Sequence, residues 1–277
     1  MVFSSDVNLL LGFVLASLIG YLAYKRGSLS RSGVVGAIVT GGLIFGFGGF
    51  GGAALLLIFF ISSSALSRFK ESQKESLTEK FSKGSQRDLA QAFANGGVAA
   101  VCMAAFGLTQ YPVWWIASAI ALATANADTW ATELGVLSKT PPRLITTARE
   151  VEVGTSGGIT VMGTMSAFAG SALVALTALI AIQLDPNLQP LTPNPIFKFV
   201  IIAIAGLLAS LFDSVLGATV QAIYYCDHCR KETERHPQHT CGGTTRSLRG
   251  WRWLNNDVVN FLATLMGAVT ALAIFSF

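Results

Sequence analysis

Apolar stretches about as long as a membrane span alternate along the chain with polar connections, a pattern that predicts transmembrane helices. A helix needs about 20 apolar residues to cross the hydrocarbon core of a bilayer. Eight stretches approach this length; the second and third meet at Gly48 and Gly49, so these two are tilted, broken or re-entrant. We therefore predict an all-α, polytopic integral membrane helical bundle of about eight transmembrane helices, forming a single domain over residues 1–277. The predicted spans are 7–24, 33–48, 50–67, 88–107, 112–135, 157–183, 196–222 and 255–275.

The charged residues support this topology. Only 12% of the 277 residues are charged, whereas soluble domains carry about 25%, so an ordinary soluble surface is excluded. All of the 19 Lys and Arg residues except Lys198 fall in four alternate connections, 25–32, 68–87, 136–156 and 223–254. Because cytoplasmic loops carry an excess of Lys and Arg, these connections are expected to face the cytosol, with both termini outside. The net charge of +4 is then a consequence of topology, and no nucleic-acid partner is expected.

Acidic residues inside the predicted spans are the main functional signal. A charge at the centre of a membrane helix costs at least about 2.5–3.5 kcal/mol, so such residues face a bundle interior or a wet cavity. The predicted topology puts all of them in the cytosolic half of the membrane, with amide and hydroxyl side chains close by. The acids are Asp128, Glu133, Asp213 and Asp257, and the accompanying polar residues are Asn126, Thr129, Asn256 and Asn260.

Three interpretations of these acids are open. They form structural pairs with arginines from the loops, they relay protons or cations in a transporter or flippase, or they bind a divalent cation such as Mg²⁺. Magnesium in proteins usually takes one or two carboxylates together with substrate phosphates. A neighbouring glycine-rich segment, described next, favours the third interpretation.

The glycine-rich segment opens the sixth predicted span on the cytosolic side. Glycines let backbone N–H groups approach an anion, and a helix N-terminus adds favourable partial charge. Arg143, shortly before it, offers a guanidinium suited to phosphate. A plain helix cap is the alternative explanation, and the P-loop ending Gly-Lys-Ser/Thr is absent. The residues expected to bind phosphate groups here are Gly154, Thr155, Ser156, Gly157 and Gly158.

The connection 223–254 contains most of the cysteines and predicts a metal site on a cytosolic loop. Cys226 and Cys229 have the Cys-x2-Cys spacing typical of zinc ligands, and His239 and Cys241 complete a Cys₃His set. His228 and His236 compete with His239 as the fourth ligand. Four protein ligands would close the coordination shell, which is typical of a structural Zn²⁺. Unmetallated thiols and a catalytic cysteine are the alternatives.

Five segments in combination carry a resemblance to a known family. They are Asn126-Ala-Asp128-Thr129-Trp-Ala131-Thr-Glu133-Leu-Gly135, Gly154-Thr155-Ser156-Gly157-Gly158, Asp213-Ser-x-x-Gly217, Cys226-x2-Cys229 with His239-x-Cys241, and Asn256-Asp257-x-x-Asn260. Together they resemble the DUF92, or transmembrane-protein-19, family, whose photosynthetic branch includes phytyl-phosphate kinase of tocopherol biosynthesis. The Asp128-Thr-x-Ala131-x-x-x-Gly135 stretch is also similar to the polytopic phytol and dolichol kinases, which use CTP.

The resemblance implies a membrane phosphotransferase that converts an isoprenoid monophosphate, phytyl phosphate, to the diphosphate with a nucleoside triphosphate and Mg²⁺. It implies a multi-pass protein of a plasma or thylakoid-type membrane, with the active site facing the cytosol. Asp128, Asp213 and Asp257 would hold Mg²⁺, with Glu133 as a further catalytic acid. Substrate and nucleotide would contact Asn126, Thr129, Arg143, Gly154 to Gly158, Asn256 and Asn260. A cation- or proton-coupled transporter using the same acids is the alternative function, and a non-catalytic scaffold is a third.

Overall fold

The computed structural model describes residues 5–70, 86–188 and 194–275, and it confirms an integral membrane protein built from helices. Seven α-helices occur among these residues. Six of them are long and apolar enough to cross a membrane, and the remaining one, α4, carries Asp128 and Glu133. The helices are α1 (Ser5–Lys25), α2 (Arg31–Arg68), α3 (Leu89–Thr109), α4 (Pro112–Gly135), α5 (Val161–Leu184), α6 (Pro195–Thr219) and α7 (Asn256–Phe275).

Helix α2 consists of two antiparallel arms that fold back on each other at Gly49. The backbone of Gly49 has φ 59° and ψ −154°, which is not helical. A β-carbon on Gly52 would lie 2.7 Å from the carbonyl oxygen of Ile44, although a straight helix would separate these residues by about 12 Å along its axis. At the end of the second arm, Arg68 donates a hydrogen bond to Ser28 Oγ, which precedes the first arm. The second and third predicted spans are these arms, so the described residues form eight helical segments when each arm is counted separately.

Helix α4 is the centre of the bundle. It packs against α2, α3, α5, α6 and α7, and its residues 115–127 are buried without interruption. A helix that is buried all round its circumference belongs to a core and not to a lipid-facing surface. Small residues allow this close packing: Gly206 of α6 lies against Ala123, and Gly267 of α7 lies against Thr124. The polar cluster at the end of α4 is therefore enclosed by other helices.

The connections rich in Lys and Arg meet at one face of the bundle. Ser30 N donates to Arg87 O at 3.0 Å, which joins the first basic connection to the second. Arg249 donates to Ser156 O at 3.3 Å, which joins the fourth to the third. Of the basic residues counted above, Lys74, Lys80 and Lys83 lie outside the described residues. The assignment of this face to the cytosol remains a prediction.

Two small β-structures lie in the connections, which the all-α prediction did not include. Strands β1 (Arg143–Leu144) and β2 (Gly158–Ile159) pair antiparallel in the third basic connection. Strands β3 (Ile223–Cys226), β4 (Lys231–Thr233) and β5 (Thr245–Arg249) form an antiparallel sheet in the order β4-β3-β5. We call residues 223–254 the Cys/His unit. These strands hold the loops that complete the polar cavity described below.

Substitution Gly49→Ala tests the chain reversal between the two arms of α2. No atom lies within 4 Å of the position that a β-carbon would take there, so backbone strain alone should decide the effect. The backbone region of Gly49 is close to one that only glycine adopts readily, and we expect a loss of about 1–3 kcal/mol of stability. The control Gly97→Ala places a methyl group in ordinary contact inside α3. It should leave the melting temperature of the detergent-solubilised protein unchanged or raised, whereas an unaltered melting temperature for Gly49→Ala would contradict the fold at this residue.

Candidate functional site

A polar cavity of about 270 Å³ opens at the face of the bundle where the basic connections meet. Residues of α2 to α7, the glycine-rich segment and the Cys/His unit all contribute to its walls. The cavity brings together three of the four acids that the sequence singled out, and it adds a fourth that the sequence analysis missed. Its carboxylates belong to Asp128, Glu133, Asp213 and Glu234.

Asp128 of α4 and Asp213 of α6 form the centre of this acidic lining. Both side chains are half-buried, and they lie close enough for their charges to repel each other. Among the described residues, neither forms an ion pair with a lysine or arginine. With its amide oriented so that the nitrogen faces two acceptors, Asn260 donates to Asp213 Oδ2 at 3.0 Å and to Asn256 O at 3.2 Å, which holds this carboxylate in place. Two adjacent carboxylates in an apolar bundle, without a basic partner, suit a bound cation.

The glycine-rich segment forms another wall of the cavity. Gly154 and Gly157 both have φ 81°, a conformation that glycine adopts without strain. A β-carbon on Gly157 would collide with the backbone of Ala218, so the segment packs directly on the end of α6. The cap of α5 is a separate residue, Thr160, whose Oγ1 accepts a hydrogen bond from Gly163 N at 2.9 Å. All five residues from 154 to 158 line the cavity, together with Thr129, Asn256 and Asn260.

Three residues that the sequence analysis assigned to the site lie elsewhere. Asn126 is fully buried, where it accepts a hydrogen bond from Ser62 and donates one to Gly170 O, so it joins α4 to α2 and α5. Arg143 forms an exposed ion pair with Glu150 at 2.8 Å. Asp257 is absent from the cavity wall. Helix geometry explains two of these placements, because Asn126 is turned by about 200° from Asp128, and Asp257 by about 100° from Asn256.

Arg87, just before α3, is the basic residue of the cavity that the sequence analysis counted only as a topology signal. Its guanidinium is half-buried, donates to Ser64 Oγ at 3.1 Å and lies 5.6 Å from the ring centres of Phe59 and Phe60. Burial lowers the pKa of Arg87 to about 10, and the charge of Glu133 opposes this shift. Arg87 therefore carries a positive charge at neutral pH. No local sequence pattern separates it from the other arginines of the connections.

Across this part of the cavity, Glu133 accepts a hydrogen bond from Ser67 Oγ at 2.6 Å. Gln91 and Asn95 follow Arg87 along α3 and also line the wall. The cavity thus has one side at α3, formed by the guanidinium of Arg87 and the amides of Gln91 and Asn95. The glycine-rich segment before α5 forms another side. The carboxylates of Asp128 and Asp213 belong to the same lining. Such an arrangement is suited to two phosphate groups joined through bound cations.

The Cys/His unit gathers the four ligands that the sequence predicted. The ligand atoms of Cys226, Cys229, His239 and Cys241 all lie within 4.8 Å of one another. His239 Nδ1 is 3.4 Å from the sulfur of Cys229 and 3.3 Å from that of Cys241. His236 is not part of the cluster, because its ring stacks on Tyr224 at 4.4 Å. These four residues can therefore hold a metal ion.

The cluster also favours the thiolate form that metals bind. A hydrogen bond from His239 and another from the backbone of Gly243 lower the pKa of Cys241 to about 6. Hydrogen bonding to Cys241, together with burial, raises the pKa of Cys229 to about 12. Cys241 therefore readily provides the thiolate form that metals bind.

Comparisons with known proteins agree with this architecture. The sequence profile of the family described as "Integral membrane protein DUF92" matches residues 14–268. Protein PGR of Arabidopsis thaliana is 36% identical, and the match covers 95% of this chain and 94% of that protein. An uncharacterized membrane protein of Methanocaldococcus jannaschii is 29% identical over 97% of this chain and 95% of its own length. Protein VTE6, chloroplastic, of Arabidopsis thaliana is 25% identical over 99% of this chain and 72% of its own length.

No solved structure gives a significant match to the chain. The profile match extends from α1 into α7, and so it includes the cavity and the Cys/His unit. The chain therefore belongs to the DUF92 family of integral membrane proteins.

Proposed function

We propose that this protein is a membrane kinase that transfers a phosphoryl group from a nucleoside triphosphate, in the first instance CTP, to an isoprenoid monophosphate. Phytyl phosphate, converted to phytyl diphosphate, is the acceptor that the family resemblance favours. The proposal rests on one observation: Asp128 and Asp213 line the same cavity as Gly154 to Gly158. Phosphoryl transfer depends on charge neutralisation and alignment, and these groups supply both.

The carboxylates of Asp128 and Asp213 would hold Mg²⁺, and when bound the ion would neutralise charge on the transferred phosphoryl group. The cavity wall carries four carboxylates and one guanidinium among the described residues. This surplus of negative charge would repel phosphate groups unless cations accompanied them. Glu133 and Glu234 are the further acids of the cavity lining. Asp257 has no part in this proposal because it does not reach the cavity.

The glycine-rich segment would bind the nucleotide phosphates. Its backbone N–H groups and the hydroxyls of Thr155 and Ser156 are suited to phosphate oxygens, and they lie in the extramembrane loops, where a soluble nucleotide arrives. Thr129, Asn256 and Asn260 would orient oxygens at the centre of the cavity. Asn260 acts through Asp213, so we regard it as a positioning residue.

Arg87 would bind the phosphate of the lipid acceptor, whereas the sequence analysis had assigned Arg143, together with Gly154 to Gly158, to the nucleotide phosphates. Its guanidinium lies over the rings of Phe59 and Phe60, in the second arm of α2. A lipid phosphate at the membrane interface approaches from this apolar side, with its chain among the helices or in lipid. A monophosphate is already an ionisable nucleophile, so no strong general base is required.

The protein would act in a plasma or thylakoid-type membrane, with the cavity open to the cytosol or its organellar equivalent. This orientation follows from the basic residues around the cavity face. A transporter would need an aqueous path to the opposite face of the bundle. The assays below separate the two functions, because a kinase consumes nucleotide and forms a diphosphate product.

Substitution Asp128→Asn is expected to abolish phosphoryl transfer from CTP to phytyl phosphate without unfolding the bundle. Loss of an outer-shell partner of a metal typically costs about 10- to 100-fold, so loss of a direct ligand should cost more than about 100-fold. The matched control is Asp185→Asn, which lies at the C-terminal end of α5 and outside the cavity. Transfer is measured with purified protein in lipid nanodiscs, with Mg²⁺, as formation of the radiolabelled diphosphate.

Full activity of Asp128→Asn would contradict the metal role of this residue. If wild-type protein transferred no phosphoryl group from any nucleotide to any of a panel of isoprenyl monophosphates, the kinase function would be wrong. Accumulation of the isoprenoid phosphate in proteoliposomes without nucleotide would instead support the transporter.

A second pair of variants tests whether Arg87 binds the phosphate of the lipid acceptor. Arg87→Gln removes a charged hydrogen-bond donor from the cavity and should raise the KM for the isoprenoid monophosphate by about 10- to 100-fold, with a smaller effect on the KM for nucleotide. Arg143→Gln removes an exposed guanidinium and should leave both KM values within about twofold, as expected of surface ion pairs. A larger rise in the KM for the isoprenoid monophosphate for Arg143→Gln than for Arg87→Gln would contradict the assignment of the acceptor phosphate to Arg87.

We also propose that Cys226, Cys229, His239 and Cys241 bind one structural Zn²⁺. Zinc sites of this type are tetrahedral and closed, with three sulfur ligands and one nitrogen ligand in the present case. The Cys/His unit spans residues 223–254, which is too short to form a large hydrophobic core. Small domains of this size usually depend on a metal or on disulfides for stability.

The zinc content of purified variants tests this site. Wild-type protein should contain about one zinc ion per chain, as four ligands close one coordination shell. Cys226→Ser should lose the ion, whereas His236→Asn should retain it because His236 stacks on Tyr224 and lies outside the cluster. Elemental analysis by mass spectrometry gives the ratio. Loss of zinc from His236→Asn alone, with retention in Cys226→Ser, would show that a different ligand set binds the ion.

A further inference from the structure

The Cys/His unit is connected to the glycine-rich segment by a chain of side-chain hydrogen bonds. Glu234, which follows β4, accepts a hydrogen bond from Gln221 Nε2 at 2.8 Å. The other end of the same amide, Gln221 Oε1, accepts a hydrogen bond from Ser156 Oγ at 2.8 Å. Gln221 is almost fully buried, at 1% exposure, and all three residues line the cavity. A residue of the Cys/His unit thus reaches the nucleotide-binding segment through one buried amide.

A second connection runs parallel to the first. Arg249, at the end of β5, donates to Gly217 O at 2.8 Å and to Ser156 O at 3.3 Å. Gly250 follows it in a left-handed conformation, φ 81°, and a β-carbon there would collide with the carbonyl of Gln221. Strand β5 therefore packs against the chain that leaves α6. Arg249 thus contacts Ser156 directly, and Glu234 is connected to Ser156 through Gln221.

The four-ligand cluster lies at the turns that join the strands carrying these connections. Cys226 is the last residue of β3, which pairs with both β4 and β5. Loss of the ion would remove the ligand bonds that hold the turns between these strands. Glu234 and Arg249 would then no longer be held at the cavity. Because a buried donor or acceptor without a partner is costly, the Gln221 amide would also lose its preferred orientation.

We propose that the metal-loaded Cys/His unit is a wall of the reaction cavity, in which Glu234 and Arg249 are positioning residues that fix Ser156 and the glycine-rich segment for nucleotide binding. The inference rests on the proposed kinase function for its kinetic part. Its structural part is that the conformation of segment 153–158 depends on the Cys/His unit. This part does not depend on the kinase function. Occupancy of the Cys/His cluster would accordingly control the affinity for nucleotide and not the chemical step itself.

Hydrogen–deuterium exchange of the segment 153–158, read by mass spectrometry on the full-length protein in nanodiscs, tests the structural part. Wild-type protein with zinc should protect this segment, and Cys226→Ser or Arg249→Gln should raise its exchange rate by about tenfold or more, as expected when a charged hydrogen bond is lost. The matched control is Arg246→Gln on the same strand, since Arg246 forms an exposed pair with Asp227 and no contact with Ser156. It should leave the exchange unchanged.

Two replacements of Glu234 test whether its acceptor oxygen is what fixes the Gln221 amide. Glu234→Ala removes the acceptor of the Gln221 amide and should raise exchange in 153–158, whereas Glu234→Gln keeps an acceptor oxygen and should restore much of the protection. In transfer assays, Arg249→Gln should raise the KM for nucleotide by about tenfold while kcat changes by less than about threefold. A purely structural role would lower the melting temperature without this separation of KM from kcat.

Unchanged exchange at 153–158 in both Cys226→Ser and Arg249→Gln would overturn the inference. Equal losses of kcat and nucleotide affinity in Arg249→Gln would also overturn the positioning role. If exchange responds as expected but no preparation transfers a phosphoryl group, the coupling stands and the kinase function fails. Since Arg249→Gln leaves the metal ligands intact, the test remains decisive even if Cys226→Ser does not fold.

Discussion

The burial of two neighbouring carboxylates, Asp128 and Asp213, inside an apolar helical bundle is the constraint on which the rest of the structure depends. Each charge placed at such a depth costs at least about 2.5–3.5 kcal/mol unless a cavity, a hydrogen bond or a counter-ion offsets it. The bundle meets this constraint by enclosing α4 within five other helices and opening a polar cavity at its charged end. The opposite part of α4, residues 115–127, is buried, and glycines of neighbouring helices such as Gly206 and Gly267 pack closely against it.

The extramembrane connections complete the site that the helices begin. The glycine-rich segment packs on the end of α6, where Gly157 meets Ala218, and β1 and β2 fix its position relative to the preceding loop. The Cys/His unit adds Glu234 and Arg249 from the other side. Arg87 reaches the cavity from the start of α3 and supplies its positive charge. The helices thus provide Asp128, Glu133 and Asp213, and the connections provide Glu234 together with most of the groups suited to phosphate. This division is consistent with a lipid and a soluble substrate meeting at the interface.

Sequence patterns predicted the parts of this structure that depend on local chemistry. Apolar length located the spans, including both arms of α2, and cysteine spacing located the four-ligand cluster with His239 as its histidine. The sequence pattern did not resolve which side of a helix each polar residue faces, because neighbouring residues of a helix differ by about 100°. Asn126 and Asp257 are therefore not part of the cavity lining that the sequence led us to expect. Arg87 and Glu234 were missed since long-range folding of their connections brings them inward. The predicted span at 157 begins at Val161 because Gly158 and Ile159 pair with β1.

The proposed chemistry depends most on the binding of a divalent cation between Asp128 and Asp213. Electron paramagnetic resonance of Mn²⁺, a substitute for Mg²⁺, measures this binding directly in nanodiscs, without reference to any reaction. We expect wild-type protein to bind Mn²⁺ with an affinity that CTP strengthens, and the Asp128→Asn, Asp213→Asn double variant to lose this signal while keeping its melting temperature. Equal Mn²⁺ binding by wild-type protein and the double variant would contradict the cation site and the phosphoryl-transfer function built on it.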